Sequence, residues 1–266
     1  MIELGHALPG GTILTDDKGV NETYRGLIEV GSARLLAYVK LLPDRQLVNE
    51  LLASVLGRIV GLPIPRGFLV EVRRTDYPNS PVMTAHGLTV APAFAVEALP
   101  CQSALRHLDL QSPMAWEQLL RAWPHWYSAA AFDDWIANAD RHPGNLLVGA
   151  PGEAWLIDHG HAFTGDKWQA LNLRPDVITA NQLGQAMTAL LQPPEKALAM
   201  QACHVVAQRF SSVDTVQATR LAHVVTQLSA PDFDALTRFV TERVHSVASR
   251  IGSILGIPGL PLGPVP

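Results

Sequence analysis

The chain has 266 residues, 48% of them hydrophobic and 17% charged, with a formal net charge of −4. That is enough apolar material for one two-lobed domain or two small ones. It leaves no basic stripe to neutralise nucleic-acid phosphates and no polybasic membrane patch, so neither direct nucleic-acid binding nor a membrane surface is expected.

Two cysteines, Cys101 and Cys203, make no disulfide framework and read as buried thiols. No secretory leader and no apolar run of membrane-spanning length is evident, so the expected location is a reducing cytoplasm.

In chain order, the first forty residues alternate turns with β-like runs. "YRGLIEV" and "ARLLAYVKLL" are rich in strand formers, and Gly31-Ser32 between them signals a hairpin. "TDDKGVNET" before them is a polar loop. Pro43-Asp44 opens a helix with Leu47, Leu51, Val55 and Ile59 at helical spacing, and Gly61 and Pro63 stop it. "GFLVEVRR" and "APAFAVEAL" read as two more strands joined by a loop containing "DYPNSP". Two helices, "SPMAWEQLLRAW" and "HWYSAAAFDDWIANA", follow. Two short strands, "NLLVG" and "AWLIDHG", come next. After Pro175 the pattern predicts helices near 176–191, 193–209, 213–228 and 231–255. The expectation is an α+β, bilobal chain. Residues 1–99 form a small β-rich lobe with one helix, 100–255 a larger helical lobe, and 256–266 a Pro/Gly-rich tail.

The densest polar stretch is "NADRHPGNLLVGAPGEAWLIDHG", Asn138 to Gly160. Asp140 follows a helix, Asn145 precedes a strand, and Asp158 ends the next strand with a Gly two places on. Asp and Asn commonly just cap and turn loops. Three such groups at this spacing also suit phosphoryl transfer. One carboxylate orients the attacking hydroxyl, while an amide oxygen and a second carboxylate hold Mg²⁺ against nucleotide phosphates. Zinc would call for a denser His/Cys set.

These residues resemble the catalytic and metal loops of HipA-like kinases, in a short form, and of phosphatidylinositol 3- and 4-kinases. In those families D-R-H-x-x-N precedes D-x-G, an arrangement related to the H-R-D and D-F-G motifs of protein kinases. The resemblance implies a protein-kinase-like fold, with Asp140 as the catalytic residue and Asn145 and Asp158 as the metal ligands. His142 stands where protein kinases often carry a lysine, and could donate toward the γ-phosphate. The small lobe should then supply a strand lysine, Lys40, and a helix glutamate, Glu50, that orients it on the phosphates. Without the motif, each reads as a snorkelling or surface side chain.

No G-x-G-x-x-G is present. The phosphate cover falls to the polar loop, with Gly19, Asn21 and Thr23 as donors. The Glu97 carbonyl and Leu99 amide are the expected adenine-reading pair, because Pro100 has no amide to offer. The length leaves no room for the extra N-terminal subdomain of full-length HipA toxins, and no A-P-E motif follows Asp158.

The leading expectation is therefore an ATP- and Mg-dependent serine/threonine kinase with a protein substrate. By family resemblance only, it has an antitoxin or other protein partner. Alternatives are a small-molecule kinase, a lipid kinase or a nucleotide-binding pseudokinase serving as a partner-binding module. Aminoglycoside-type phosphotransferases carry a His two positions before the catalytic Asp, where this chain has Asn138. The tryptophans are expected to pack in the core rather than form a partner surface.

Overall fold

Alternating apolar residues in the N-terminal third build a closed sheet. The structure is a computed structural model and describes residues 1–14, 21–108 and 113–257. The strands are β1 (Glu3–Ala7), β2 (Thr12–Ile13), β3 (Glu22–Val30) and β4 (Ala33–Leu41). After helix α1 (Asp44–Ile59) come β5 (Gly67–Arg73), a short helix α2 (Pro81–Ala85) and β6 (Val90–Glu97). The sheet order is β1-β5-β6-β4-β3-β2, and β1 also pairs with β3.

Because β1 runs parallel to β5 and antiparallel to β3, the sheet closes on itself. Gly5 permits this approach: a Cβ there would overlap the Glu29 carbonyl oxygen and press on Val30. Inside the closed sheet lie Tyr24, Ile28, Val39, Phe68, Val70 and Ala95. They are the inward members of strands whose burial alternates with period two.

Helix α1 is buried on nearly every side, with each residue from Gln46 to Gly57 enclosed. Its apolar residues join a second core that runs through the helical part of the chain, including Phe132, Trp135, Phe210 and Phe239. That part begins with β7 (Gln102–Ser103), α3 (Ala104–His107), α4 (Pro113–Ala122) and α5 (Trp126–Trp135). The hairpin strands β8 (Leu146–Val148) and β9 (Ala154–Leu156) follow, and β7-β8-β9 form a small second sheet. The chain continues with α6 (Gln182–Leu190), α7 (Pro193–Ser211), α8 (Thr215–Leu221), α9 (Ala230–Arg243) and α10 (Val247–Ile254). Among the described residues, no helix is long and apolar enough to cross a membrane.

The structure corrects several expectations. The small lobe holds a second helix, α2, capped by Ser80, whose side chain accepts the Met83 N–H. Residues 176–181 are not helical: the buried Arg243 takes the Pro175 and Val177 carbonyls, which leaves them no helical role. The last expected helix is two, separated by a 3-10 turn at Val244–Ser246. Cys203 is buried, but Cys101 is only partly so. Trp123, Trp126, Trp135 and Trp168 are core residues, as expected, whereas Trp116 and Trp155 are half-buried. Of the tail, residues 258–266 lie outside the described residues.

Gly5→Ala should destabilise the protein by about 1–3 kcal/mol, because the clash is with backbone that cannot rotate away. Urea unfolding at neutral pH checks this, and an unchanged midpoint would mean that β1 does not seal the sheet.

Candidate functional site

The polar stretch starts where α5 ends. Asp133 and Asp134 close that helix, and both are buried. A buried carboxylate needs a cation and further hydrogen bonds. Asp133 receives both from the loop that follows. Arg141, itself fully buried, donates to it through Nε at 3.0 Å and Nη2 at 3.0 Å, and Asn138 Nδ2 donates at 3.0 Å. Arg141 Nη1 also reaches the Asn145 carbonyl at 2.9 Å and the Ile157 carbonyl at 2.6 Å. One guanidinium thus ties the loop holding Asp140 to the strand end holding Asp158.

Within the loop, Asn138 Oδ1 accepts the Asp140 N–H at 3.2 Å. Asn145 is buried, and its Nδ2 donates to the Asp140 carbonyl and, at 3.4 Å, to Asp140 Oδ2. Its amide oxygen, an acceptor, is the atom left to bind a metal. His142 is exposed, and its Nδ1 accepts the Gly144 N–H at 2.9 Å. A ring nitrogen that accepts carries no proton, so Nε2 is the nitrogen left to donate.

Across the cleft, Lys40 is the penultimate residue of β4, opposite Thr23 of β3. Its Nζ lies 2.9 Å from Glu50 Oε1 and 3.2 Å from Asp158 Oδ1. Glu50 sits on α1 with its side chain only 2% exposed, and its Oε2 accepts the His159 N–H at 3.0 Å. Asp158 adopts a left-handed backbone, φ +59°, and its side chain is 50% exposed. Burial alone would raise the Glu50 carboxyl, but Lys40 and the bonds from His159 outweigh it and hold the group well below the usual range. Burial would lower Lys40, but the carboxylates of Glu50 and Asp158 hold it above its ordinary value. Burial, then Arg141, pulls the His159 imidazole down, so it is neutral beside Glu50.

The structure therefore brings Lys40, Glu50 and Asp158 into contact and links Asp140 to Asn145. Of the expected phosphate donors, Asn21 gives its Nδ2 to Gln46 of α1 at 2.7 Å, and the Thr23 hydroxyl donates to the Asn21 carbonyl at 3.2 Å. Gly19 lies outside the described residues. At the hinge, the Glu97 N–H donates to Arg66 and the Ala98 N–H to Leu36, so the sheet releases the chain at Leu99. Leu99 lines a concavity of about 460 Å³ with Cys101, Val148, Glu153 and Trp155, and its lining includes neither Lys40 nor Asp140 nor Asp158.

Among the described residues, no three His, Cys, Asp or Glu side chains cluster as a metal cage. An Asn oxygen and one Asp suit Mg²⁺, which keeps waters and substrate phosphates as its remaining ligands. Sequence reading missed Asn138, Arg141 and Asp133 as a unit, and it missed Asn49. The last is a buried amide next to Glu50 that bonds the backbone after Asp158. The available signal was polarity out of place: Asp133 and Asn49 both sit in helices that are otherwise enclosed.

Glu50→Gln should cost about 3 kcal/mol at pH 7, near the low end for breaking a buried pair because Asp158 still partners Lys40. The folded Glu50 pKa is depressed. Its stabilisation is present above the ordinary value of about 4.3 and is lost as pH falls through the lower folded value. The gap between wild type and variant should therefore narrow as pH falls from about 4.3 toward that lower value. Denaturant curves at pH 7 and in acid check it, and a constant gap would contradict the assigned ionisation.

A family model described as HipA-like kinase matches residues 31–213. Among solved structures, the Helicobacter pylori proinflammatory kinase CtkA superposes with a TM-score of 0.55 at 12% identity, over 92% of this chain and 97% of that one. At that identity the likeness speaks for fold. Curated sequences named gamma-glutamyl phosphate reductase, from Yersinia pestis strains Pestoides F and Angola, are 30% identical over 187 residues. That alignment takes 65% of this chain and 44% of theirs, so the chain spans less than half the length of these relatives. The reductase and kinase similarities point to different chemistries. The Lys40, Glu50 and Asp158 constellation, inside the matched 31–213 segment, is the arrangement that phosphoryl transfer requires.

Proposed function

The chain belongs to the HipA-like kinase family, and we propose that it transfers the γ-phosphoryl group of ATP, with Mg²⁺, to a serine or threonine hydroxyl of a protein. The observation that carries this reading is Lys40 Nζ held between Glu50 at 2.9 Å and Asp158 at 3.2 Å. A lysine fixed by a buried carboxylate presents a positive charge at a set place, which is what nucleotide phosphates need.

In this reading Lys40 binds the phosphates. Asn145 and Asp158 would hold Mg²⁺, which when bound neutralises charge on the transferred group. Asp140 faces the acceptor side and orients the attacking hydroxyl. His142, with Nε2 as its free donor, stabilises charge on the γ-phosphate as it moves. Backbone at Glu97 and Leu99 reads the adenine. Asn21 and Thr23 border the phosphates from β3 and the loop before it. The protein substrate, an antitoxin-type or other protein partner, and a cytoplasmic location rest on the family resemblance and the composition.

Asp140→Ala should still bind Mg-ATP but lose transfer by about 10²–10⁴-fold, since its contribution comes in the transition state. Thermal shift with Mg-ATP reads binding. Label transfer from ATP, alone and into host lysate, reads chemistry and identifies the acceptor class. Near-normal transfer by the variant would move the catalytic role elsewhere. Lys40→Met and Glu50→Gln should each reduce transfer, and together lose much less than the product of the two defects, because they act as one unit. Independent, multiplicative losses would contradict the pairing as a functional one.

A further inference from the structure

Helix α1 offers two adjacent polar side chains to the backbone that follows Asp158, and only one of them is explained by Lys40. Glu50 Oε2 takes the His159 N–H. Asn49, fully buried, points its amide nitrogen at three carbonyl oxygens: Gly160 at 2.7 Å, Ala162 at 2.9 Å and Gly165 at 2.9 Å. Its Oδ1 accepts the Trp168 indole N–H at 2.8 Å, which fixes which end of the amide is the donor. Trp168 is in turn held under the Arg45 guanidinium, 4.1 Å from the ring centroid, and Arg45 is paired with Asp232.

The segment clamped in this way is strained. Asp158, Phe163 and Thr164 all have left-handed backbones, with φ of +59°, +54° and +76°. Non-glycine residues stay in that region only where surrounding contacts over-determine them. Two consecutive α1 residues supply such contacts to positions 159, 160, 162 and 165. Asp158 is the residue immediately upstream of all four.

Resting on the kinase reading above, we propose that Asn49 is a positioning residue: its amide clamps the 160–165 backbone to α1 and so sets the Asp158 carboxylate where Lys40 and Mg²⁺ share it. Asn49 does not touch nucleotide or acceptor. It acts through Asp158, so its loss should register first in how the protein uses Mg²⁺.

The test titrates Mg²⁺ at fixed ATP and follows both thermal shift and label transfer in the full chain. Asn49→Ala should raise the half-saturating Mg²⁺ concentration by roughly tenfold and lower kcat by about 10–100-fold, the range for residues that orient a ligand from behind. KM for the acceptor should stay unchanged. Asn49→Asp should be worse than Asn49→Ala, because it turns an acceptor toward three carbonyls while keeping the Trp168 bond. Thr219→Val, a buried hydroxyl in α8 bonded to the Val216 carbonyl, is the stability control and should leave the Mg²⁺ titration in place.

If neither Asn49 variant folds, Trp168→Phe removes the donor that orients the amide while keeping an aromatic ring beside Arg45, and it should shift the Mg²⁺ titration in the same direction. Wild-type Mg²⁺ dependence in the folded Asn49 variants, or in Trp168→Phe where it must stand in, overturns the proposal. A wild-type protein that shows no Mg²⁺-dependent ATP binding overturns the kinase reading itself, which is a separate and recognisable failure.

Discussion

Burying the Glu50 carboxylate carries a desolvation cost of several kcal/mol, and the molecule is arranged around offsetting it. Lys40 comes from the closed sheet to supply the charge, and the His159 N–H comes from the segment after β9 to fill the second oxygen. Neither partner lies on α1 itself. To satisfy one side chain, the end of β4, helix α1 and a segment 109 positions beyond Glu50 must meet at a single point. That point is also where Asp158 emerges with its carboxylate half exposed. The polar contact that stabilises the core of the fold and the contact that prepares the cleft are one and the same.

A similar economy governs the base of the site. Asp133 and Asp134 are neighbours at the end of α5, yet they serve different partners. Asp133 holds Arg141 and Asn138, which shape the loop around Asp140. Asp134 holds Arg250, which grips it through two nitrogens, with Arg243 close by. Arg243 then fixes the Pro175 and Val177 carbonyls. Burial raises the Asp134 carboxyl despite Arg250 and Arg243, and it lowers Arg243 to about 10. Both shifts run against charge, so this cluster orders the chain more than it stabilises it.

What could be read from the sequence divides along the same line. The β3–β4 hairpin, α1 and β6 follow from local pattern and turn residues, and Asp140, Asn145 and Asp158 stand out by residue type and spacing, whereas Lys40 and Glu50 could be named only through the kinase resemblance that those three carry. The misses depend on partners distant in the chain. β1 is a five-residue run containing Gly5, and it becomes a strand only because β3 and β5 bracket it. Residues 176–181 carry no helix because Arg243, more than sixty positions later, claims their carbonyls. Asn49 looks like any polar residue on a helix until Gly160, Ala162 and Gly165 are brought to it. Periodicity reports which face of an element is buried. It cannot report what a buried polar group has been buried against.

The two cores place the mechanical boundary of the molecule somewhere other than the chain boundary near residue 99. The closed sheet has its own apolar interior, while α1 shares a continuous core with α5, α7 and α9. At the back, the Ile2 N–H donates to the Leu221 carbonyl at 2.9 Å, which ties the start of the chain to α8. Helix α1 therefore packs as part of the helical body, and Asn49 and Glu50 tie it to the segment after Asp158. Lys40 stands on the other side of that boundary, as does Asn21 with its bond to Gln46. Any opening of the cleft must draw the Lys40 ammonium away from Glu50 and Asp158 together and leave a buried carboxylate without its counter-charge. Breaking a buried pair in that way costs about 3–5 kcal/mol. That cost favours the closed arrangement over any opening that leaves Glu50 enclosed.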